Sequence, residues 1–187
     1  MRHFSKIKNN SNKNVFITGG SKGLGKALAQ KFLSLGSNVT IVARNQKELA
    51  EAVTELEKFK INPNQKLFSV SADVTNWNSI SECMKTSVDK VGVPDVVIPN
   101  AGISKCGLFN DLTIEDIEQE NRLNYLGTIF TIKAALPYLI QHKQNSAHIV
   151  IVSSAAAFSG FIGYSAYSAT KQAIKGIERE DIQVYES

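Results

Sequence analysis

The chain has 187 residues, 43% hydrophobic and 20% charged, the balance of one soluble globular domain burying roughly 70% of its extended-chain surface rather than of a disordered chain. The formal net charge is +4, but Arg2, Lys6, Lys8 and Lys13 place four positive charges ahead of Asn14, and the remaining 17 basic residues cancel the 17 acids. The body is therefore neutral and lacks the clustered basic face of a nucleic-acid-binding domain.

Cys83 and Cys106 are too few for a disulfide framework. With the scattered His3, His142 and His148 they make no metal-ligand spacing, so no metal is expected. Residues 1–13 read as a disordered basic tail, with a weak targeting or membrane-surface segment as the alternative. The N-terminus has no signal-peptide core, and no apolar run approaches the ~20 residues that cross a bilayer. The expected location is cytosolic.

A short apolar run at 15–18 predicts a first strand, and the helical period of Leu24, Ala27, Leu28, Phe32 and Leu35 predicts a helix that Gly36 stops. A strand at 39–43, a helix at 46–59, a strand at 67–71, a helix at 78–91 and a strand at 96–99 follow. Residues 112–141 read as a long helix in two pieces meeting near Asn124 and Gly127. A fifth strand at 148–153 precedes a helix with Tyr167 and Lys171. Continuous apolar strands alternating with helices predict an α/β fold, a doubly wound Rossmann-type parallel sheet with helices on both faces, in one domain over 14–187.

The turn TGGSKGLG, Thr18 to Gly25, joins the first strand to the first helix. Its glycines, Gly19, Gly23 and Gly25, let the backbone turn tightly, and Ser21, Lys22 and Leu24 complete a cradle that brings N–H groups to a pyrophosphate at a helix N-terminus. The same stretch fits a G-x-x-x-x-G-K phosphate loop from Gly20 to Lys26. The Ser or Thr that would hold magnesium is replaced by Ala27, so the dinucleotide reading is preferred. An acid commonly ends the second strand in NAD-binding sheets. Here Arg44 stands there, with Lys22 in the turn, and two cations favour the 2′-phosphate of NADPH. Asp73-Val74 and Asn100-Ala101-Gly102 sit at carboxyl ends of strands, where such sheets bind ligands. An aspartate there can accept from an adenine amino group, and a small turn lets a cofactor pass close to the backbone.

In FIGYSAYSATK, Tyr167 and Lys171 share one helical face a turn apart, thirteen residues after Ser154. A phenol beside an ammonium is a proton-transfer device. Tyr164 has Ser168, not a lysine, four residues on.

Together these segments resemble the short-chain dehydrogenase/reductase family from about Asn14 to Ile177. The glycine turn, Asp73-Val74, the NAG turn, Asn124, Ser154, Tyr167 and Lys171 stand in that family's order. The resemblance implies that Tyr167 donates a proton to a carbonyl oxygen and that Lys171 assists and binds the nicotinamide ribose. It further implies that Ser154 steadies the developing charge, and that Asn124 bends the long helix and supports a relay water. Within the family, GGSKGLGKALA, Arg44, NYLGT and FIGYSAYSATKQAIKGI are similar to the 3-ketodihydrosphingosine reductases. That narrower resemblance implies NADPH, a long-chain sphingoid ketone and the cytosolic face of the endoplasmic reticulum. Steroid and 3-oxoacyl reduction are the alternatives, and a homodimer is compatible with it. The family pattern continues beyond a helix that here runs into ERED and IQVYES. The expectation is a C-terminally incomplete domain, with later strands, a substrate loop and any membrane anchor missing, whose turnover is weak or nil.

Overall fold

The computed structural model describes residues 12–141 and 147–177. His3, His142, most of the basic stretch and the ERED and IQVYES segments lie outside the described residues. Lys13, grouped with the tail by sequence, pairs with Asp95 across 3.0 Å and so belongs to the folded body.

Five strands, β1 (Asn14–Thr18), β2 (Asn38–Ala43), β3 (Leu67–Ser71), β4 (Val96–Ile98) and β5 (His148–Ile149), form one sheet in the order β3-β2-β1-β4-β5. Every pairing is parallel. The order reverses between β1 and β4, which makes that junction the switch point where such sheets open a ligand crevice. Because strand side chains alternate between faces, neighbouring residues feed two separate cores. Val15, Ile17, Val39, Ile41, Val96 and Ile98 pack against Ala29 and Leu33 of α1 (Gly23–Ser34) and Leu49, Ala52 and Leu56 of α2 (Gln46–Leu56). On the other face, Phe16, Val42 and Val97 meet Ile80, Cys83 and Met84 of α3 (Trp77–Lys90) and Ala134, Ala135 and Leu139 of α5 (Gly127–Gln141). The doubly wound architecture expected from the alternating elements is the observed one.

Two elements differ from expectation. The long helix begins at Ile114, because Thr113 and Asp116 form a reciprocal capping box. It then passes through a π-helical stretch, Asn121–Leu126, between α4 (Ile114–Glu120) and α5. Its continuous span from Ile114 to Gln141 is long and apolar enough to cross a membrane by length and composition. Half of its most apolar window is buried inside the fold, as in a core helix. The fifth strand is shorter than the apolar run 148–153 suggests. His148 N–H bonds the Asp95 carbonyl and Val150 N–H the Val97 carbonyl. In this parallel register residue 99 would donate the next rung, and Pro99 has no N–H to give. The chain then runs through Val152 and a short 3-10 turn, Ala155–Ala157, into α6 (Ser165–Ile177).

Candidate active site

The glycine turn is built as a cradle. Gly19 has φ +68°, and a Cβ there would lie 2.9 Å from Asn100 Nδ2 and 3.0 Å from the Ala101 Cα. A Cβ on Gly25 would lie 2.2 Å from the Gly19 carbonyl oxygen. No side chain can stand at Gly25 without moving backbone. The turn is bolted to the end of β4 from both sides. Thr18 Oγ1 accepts from the Asn100 and Ala101 N–H groups at 3.0 and 3.1 Å. Asn100 Nδ2 donates to the Thr18 carbonyl at 3.0 Å and the Gly19 carbonyl at 3.3 Å. Asn100 thus supports the turn with its side chain while its backbone shapes the crevice. Helix α1 opens directly from the turn without a side-chain cap, so its first N–H groups face outward as donors.

The crevice above the turn is a groove of 580 Å³. Gly19, Ser21, Lys22, Gly23 and Leu24 line one side, Arg44 the strand end, and Val74, Asn100, Ala101 and Gly102 the floor. The residues present fit a nicotinamide dinucleotide: a turn with no room for a side chain at Gly19 or Gly25, an uncapped helix N-terminus and a groove at the switch point. Arg44 is exposed at the rim. Lys26, the lysine of the phosphate-loop alternative, is paired with Glu55 at 2.6 Å, away from the turn.

Glu48 is a residue that sequence reasoning missed. Its carboxylate lies 3.5 Å from the Lys22 ammonium and accepts from Ser21 Oγ at 3.4 Å. The signal was present as Asn45-x-x-Glu48, a helix-start pattern. Asn45 Oδ1 caps α2 by accepting from the Lys47 and Glu48 N–H groups, and Asn45 Nδ2 donates to Glu48 Oε1. The cap thereby aims an acid at the glycine turn. Asp73 is half-buried, and its Oδ1 accepts from both the backbone N–H and the hydroxyl of Thr75. Its neighbours Ala72 and Val74 line the groove. Val74 also packs against Gly127, where a Cβ would sit 2.8 Å from a Val74 methyl.

Asn124 lies in the π-helical stretch, buried. Its Oδ1 accepts from the Ile103 N–H and its Nδ2 donates to the Ile103 carbonyl, both at 2.8 Å. Nδ2 also reaches Thr170 Oγ1 at 3.2 Å. Thr170 in turn donates to the Tyr167 carbonyl at 2.7 Å. Ile103 lines the groove, so two side-chain links run from the groove wall to α6. The Asn124 carbonyl accepts the Thr128 hydroxyl at 2.7 Å.

On α6, Tyr167 is half-buried and Lys171 only 8% exposed. The Lys171 ammonium lies 5.7 Å from the Tyr167 ring centre and donates to the Val152 carbonyl at 2.8 Å. Burial holds its pKa below the ordinary lysine value. Ser154, two residues past Val152, accepts from the Ala156 N–H at 3.2 Å and caps the short 3-10 turn. The Ser153 hydroxyl is buried with no partner among the described residues. Tyr164 stacks edge-on against Tyr167 with ring centres 6.2 Å apart.

The family model for short chain dehydrogenases matches residues 13–182. The chain is 35% identical over 164 residues to the 3-ketodihydrosphingosine reductase of Bos taurus, an alignment covering 87% of this chain and 49% of that protein. It is 37% identical over 161 residues to the oxidoreductase BOA17 of Botryotinia fuckeliana, covering 86% of this chain and 56% of that one. A solved short-chain type dehydrogenase/reductase from Mycobacterium ulcerans superposes with a TM-score of 0.83 at 27% identity, over 89% of this chain and 60% of that one. The chain spans about half the length of the curated relatives it matches. With a five-stranded parallel sheet, a glycine-rich turn at its switch point and a matching family model, the chain belongs to the short-chain dehydrogenase/reductase family, whose fold implies a nicotinamide cofactor.

Proposed function

We propose that the chain is an NADPH-dependent carbonyl reductase whose substrate is 3-ketodihydrosphingosine. The observation that carries the reading is the pairing of Tyr167 with a buried Lys171, on a helix linked through Thr170 and Asn124 to the groove wall. Reduction of a ketone adds a hydride to carbon and a proton to oxygen. The nicotinamide, when bound, supplies the hydride. Tyr167 donates its phenolic proton to the carbonyl oxygen. Lys171 stabilises the negative charge left on the phenol oxygen, and being poor in solvent it does so with little screening. In the same reading Lys171 also holds the nicotinamide ribose. Ser154 Oγ hydrogen-bonds the carbonyl oxygen and steadies it. Asn124 bends the long helix and supports a relay water.

The remaining residues bind. Gly19, Ser21, Gly23, Leu24 and Gly25 take the pyrophosphate, Asp73 and Val74 the adenine, and Asn100, Ala101 and Gly102 the floor beside the ribose. Arg44 and Lys22 take the 2′-phosphate, which makes the preferred cofactor NADPH. Support for the substrate comes from the identity to the Bos taurus reductase and from the residues around Tyr167. We infer the cytosolic face of the endoplasmic reticulum as the site of action from the same resemblance. The substrate reading is tested by NADPH oxidation with three ketones: 3-ketodihydrosphingosine, a steroid ketone and a 3-oxoacyl thioester. Preference for the first is expected. Turnover of a steroid or thioester without the sphingoid ketone would refute it.

A further inference from the structure

Asp116, Glu120 and Asn124 recur at four-residue steps along α4 and the π-helical stretch, and all three bind one short piece of chain. Asn124 holds the Ile103 N–H and carbonyl, each at 2.8 Å. Glu120 Oε1 accepts the Lys105 N–H. Asp116 Oδ1 takes the Lys105 ammonium at 2.6 Å. Glu120 is 0% exposed, and its Oε2 has no partner among the described residues. An unpaired buried carboxylate oxygen destabilises a fold, so packing alone does not account for a glutamate there. Burial, reinforced by Asp116, raises its pKa from the ordinary glutamate value, against the opposing pull of the Lys105 N–H and ammonium.

The piece so held bridges the two halves of the site. Ile103 lines the groove. Two residues beyond Lys105, the Gly107 N–H donates to the Gly163 carbonyl at 3.0 Å. Gly163 leads into α6, where the Ser168 N–H bonds the Tyr164 carbonyl at 2.8 Å, one residue past Tyr167.

We propose that Glu120 is a positioning residue: by fixing Lys105 it holds the Gly107–Gly163 bridge, and so sets where Tyr167 stands relative to the cofactor groove. The proposal rests on reading Tyr167 as the proton donor, yet the geometry it requires is measurable without turnover.

Residue-resolved amide hydrogen exchange on the 187-residue chain, compared with Glu120→Gln and Glu120→Leu, tests it. Glutamine keeps a carbonyl oxygen for the Lys105 N–H in the same volume, whereas leucine removes the acceptor. In Glu120→Leu, exchange at Lys105, Gly107 and Ser168 should accelerate about tenfold or more while the central strands β1 and β4 hold their protection. In Glu120→Gln the same three amides should stay within about threefold of the unsubstituted chain. Loosening of Lys105 in Glu120→Gln would overturn the proposal, and this variant decides alone if the leucine variant does not fold. So would a Glu120→Leu chain in which only Lys105 loosens, or in which β1 and β4 loosen equally. Unchanged exchange sinks this inference and leaves the reductase reading standing. Ketone turnover that Tyr167→Phe leaves unchanged sinks the reductase reading and leaves the exchange pattern as measured.

Discussion

Lys171 gives its ammonium to the Val152 carbonyl across 2.8 Å, tying α6 to the segment that carries Ser154. The bond thereby links the helix that carries Tyr167 and Lys171 to the stretch that carries Ser154. It is also made by a charge with little access to water.

A pH dependence follows from that burial. The Lys171 pKa in the folded chain lies below its ordinary value of 10.5 because desolvation disfavours the ammonium. Between the lowered folded value and 10.5 the unfolded chain binds more protons, so this residue's contribution to stability rises with pH across that window. Below it, the cost of burying the charge is fully present. Urea unfolding of the unsubstituted chain and Lys171→Met, from about pH 8 upward, should show the former gaining on the variant as pH rises. A constant or shrinking difference would contradict the assignment.

Gly25→Ala should break the cradle. The added Cβ would stand 2.2 Å from the Gly19 carbonyl and 2.6 Å from Asn100 Nδ2. Backbone must shift, at a cost of about 1–3 kcal/mol, and NADPH affinity should fall about tenfold or more because the N–H cradle widens. Gly23→Ala is the comparison. It has φ +56° with nothing within 4 Å of the new Cβ, so only left-handed strain of about 1 kcal/mol is added. Fluorescence titration with NADPH and thermal melts separate the two. Equal losses would refute the steric account.

Arg44 and Glu48 should act in opposite directions on the cofactor. Arg44→Asp removes a rim cation and should weaken NADPH about tenfold or more, with a smaller effect on NADH. Glu48→Gln releases Lys22 from a carboxylate 3.5 Å away and should tighten NADPH severalfold relative to NADH, more so at low salt. Calorimetric titration with both dinucleotides checks the pair. Parallel shifts for NADPH and NADH in either variant would show that the charge does not meet a 2′-phosphate.

The layout of the sheet was legible because each strand is a continuous apolar run and each helix carries its own period and stop. The glycine turn was legible because only glycine tolerates Gly25's surroundings. What escaped notice depends on contacts between distant segments. Pro99 shortens β5 by withholding a rung from a partner some fifty residues on, which no local pattern in 148–153 reveals. Glu48 reads as one more surface acid until the Asn45 cap aims it at Lys22. Glu120 sits among the acids Glu115, Asp116 and Glu118, and composition alone paints that stretch as solvated. Only the packing of α4 beneath 103–107 shows that one of the four is buried.

The central claim is that Tyr167 delivers the proton in a ketone reduction driven by NADPH. Its most direct test is single-turnover oxidation of bound NADPH on adding 3-ketodihydrosphingosine, with protein in excess so that even a slow step is visible. The chain should show ketone-dependent oxidation, and Tyr167→Phe should slow it about 100-fold or more while NADPH affinity stays within about threefold. NADPH that fails to bind, or ketone-dependent oxidation at an unchanged rate in Tyr167→Phe, would contradict the account.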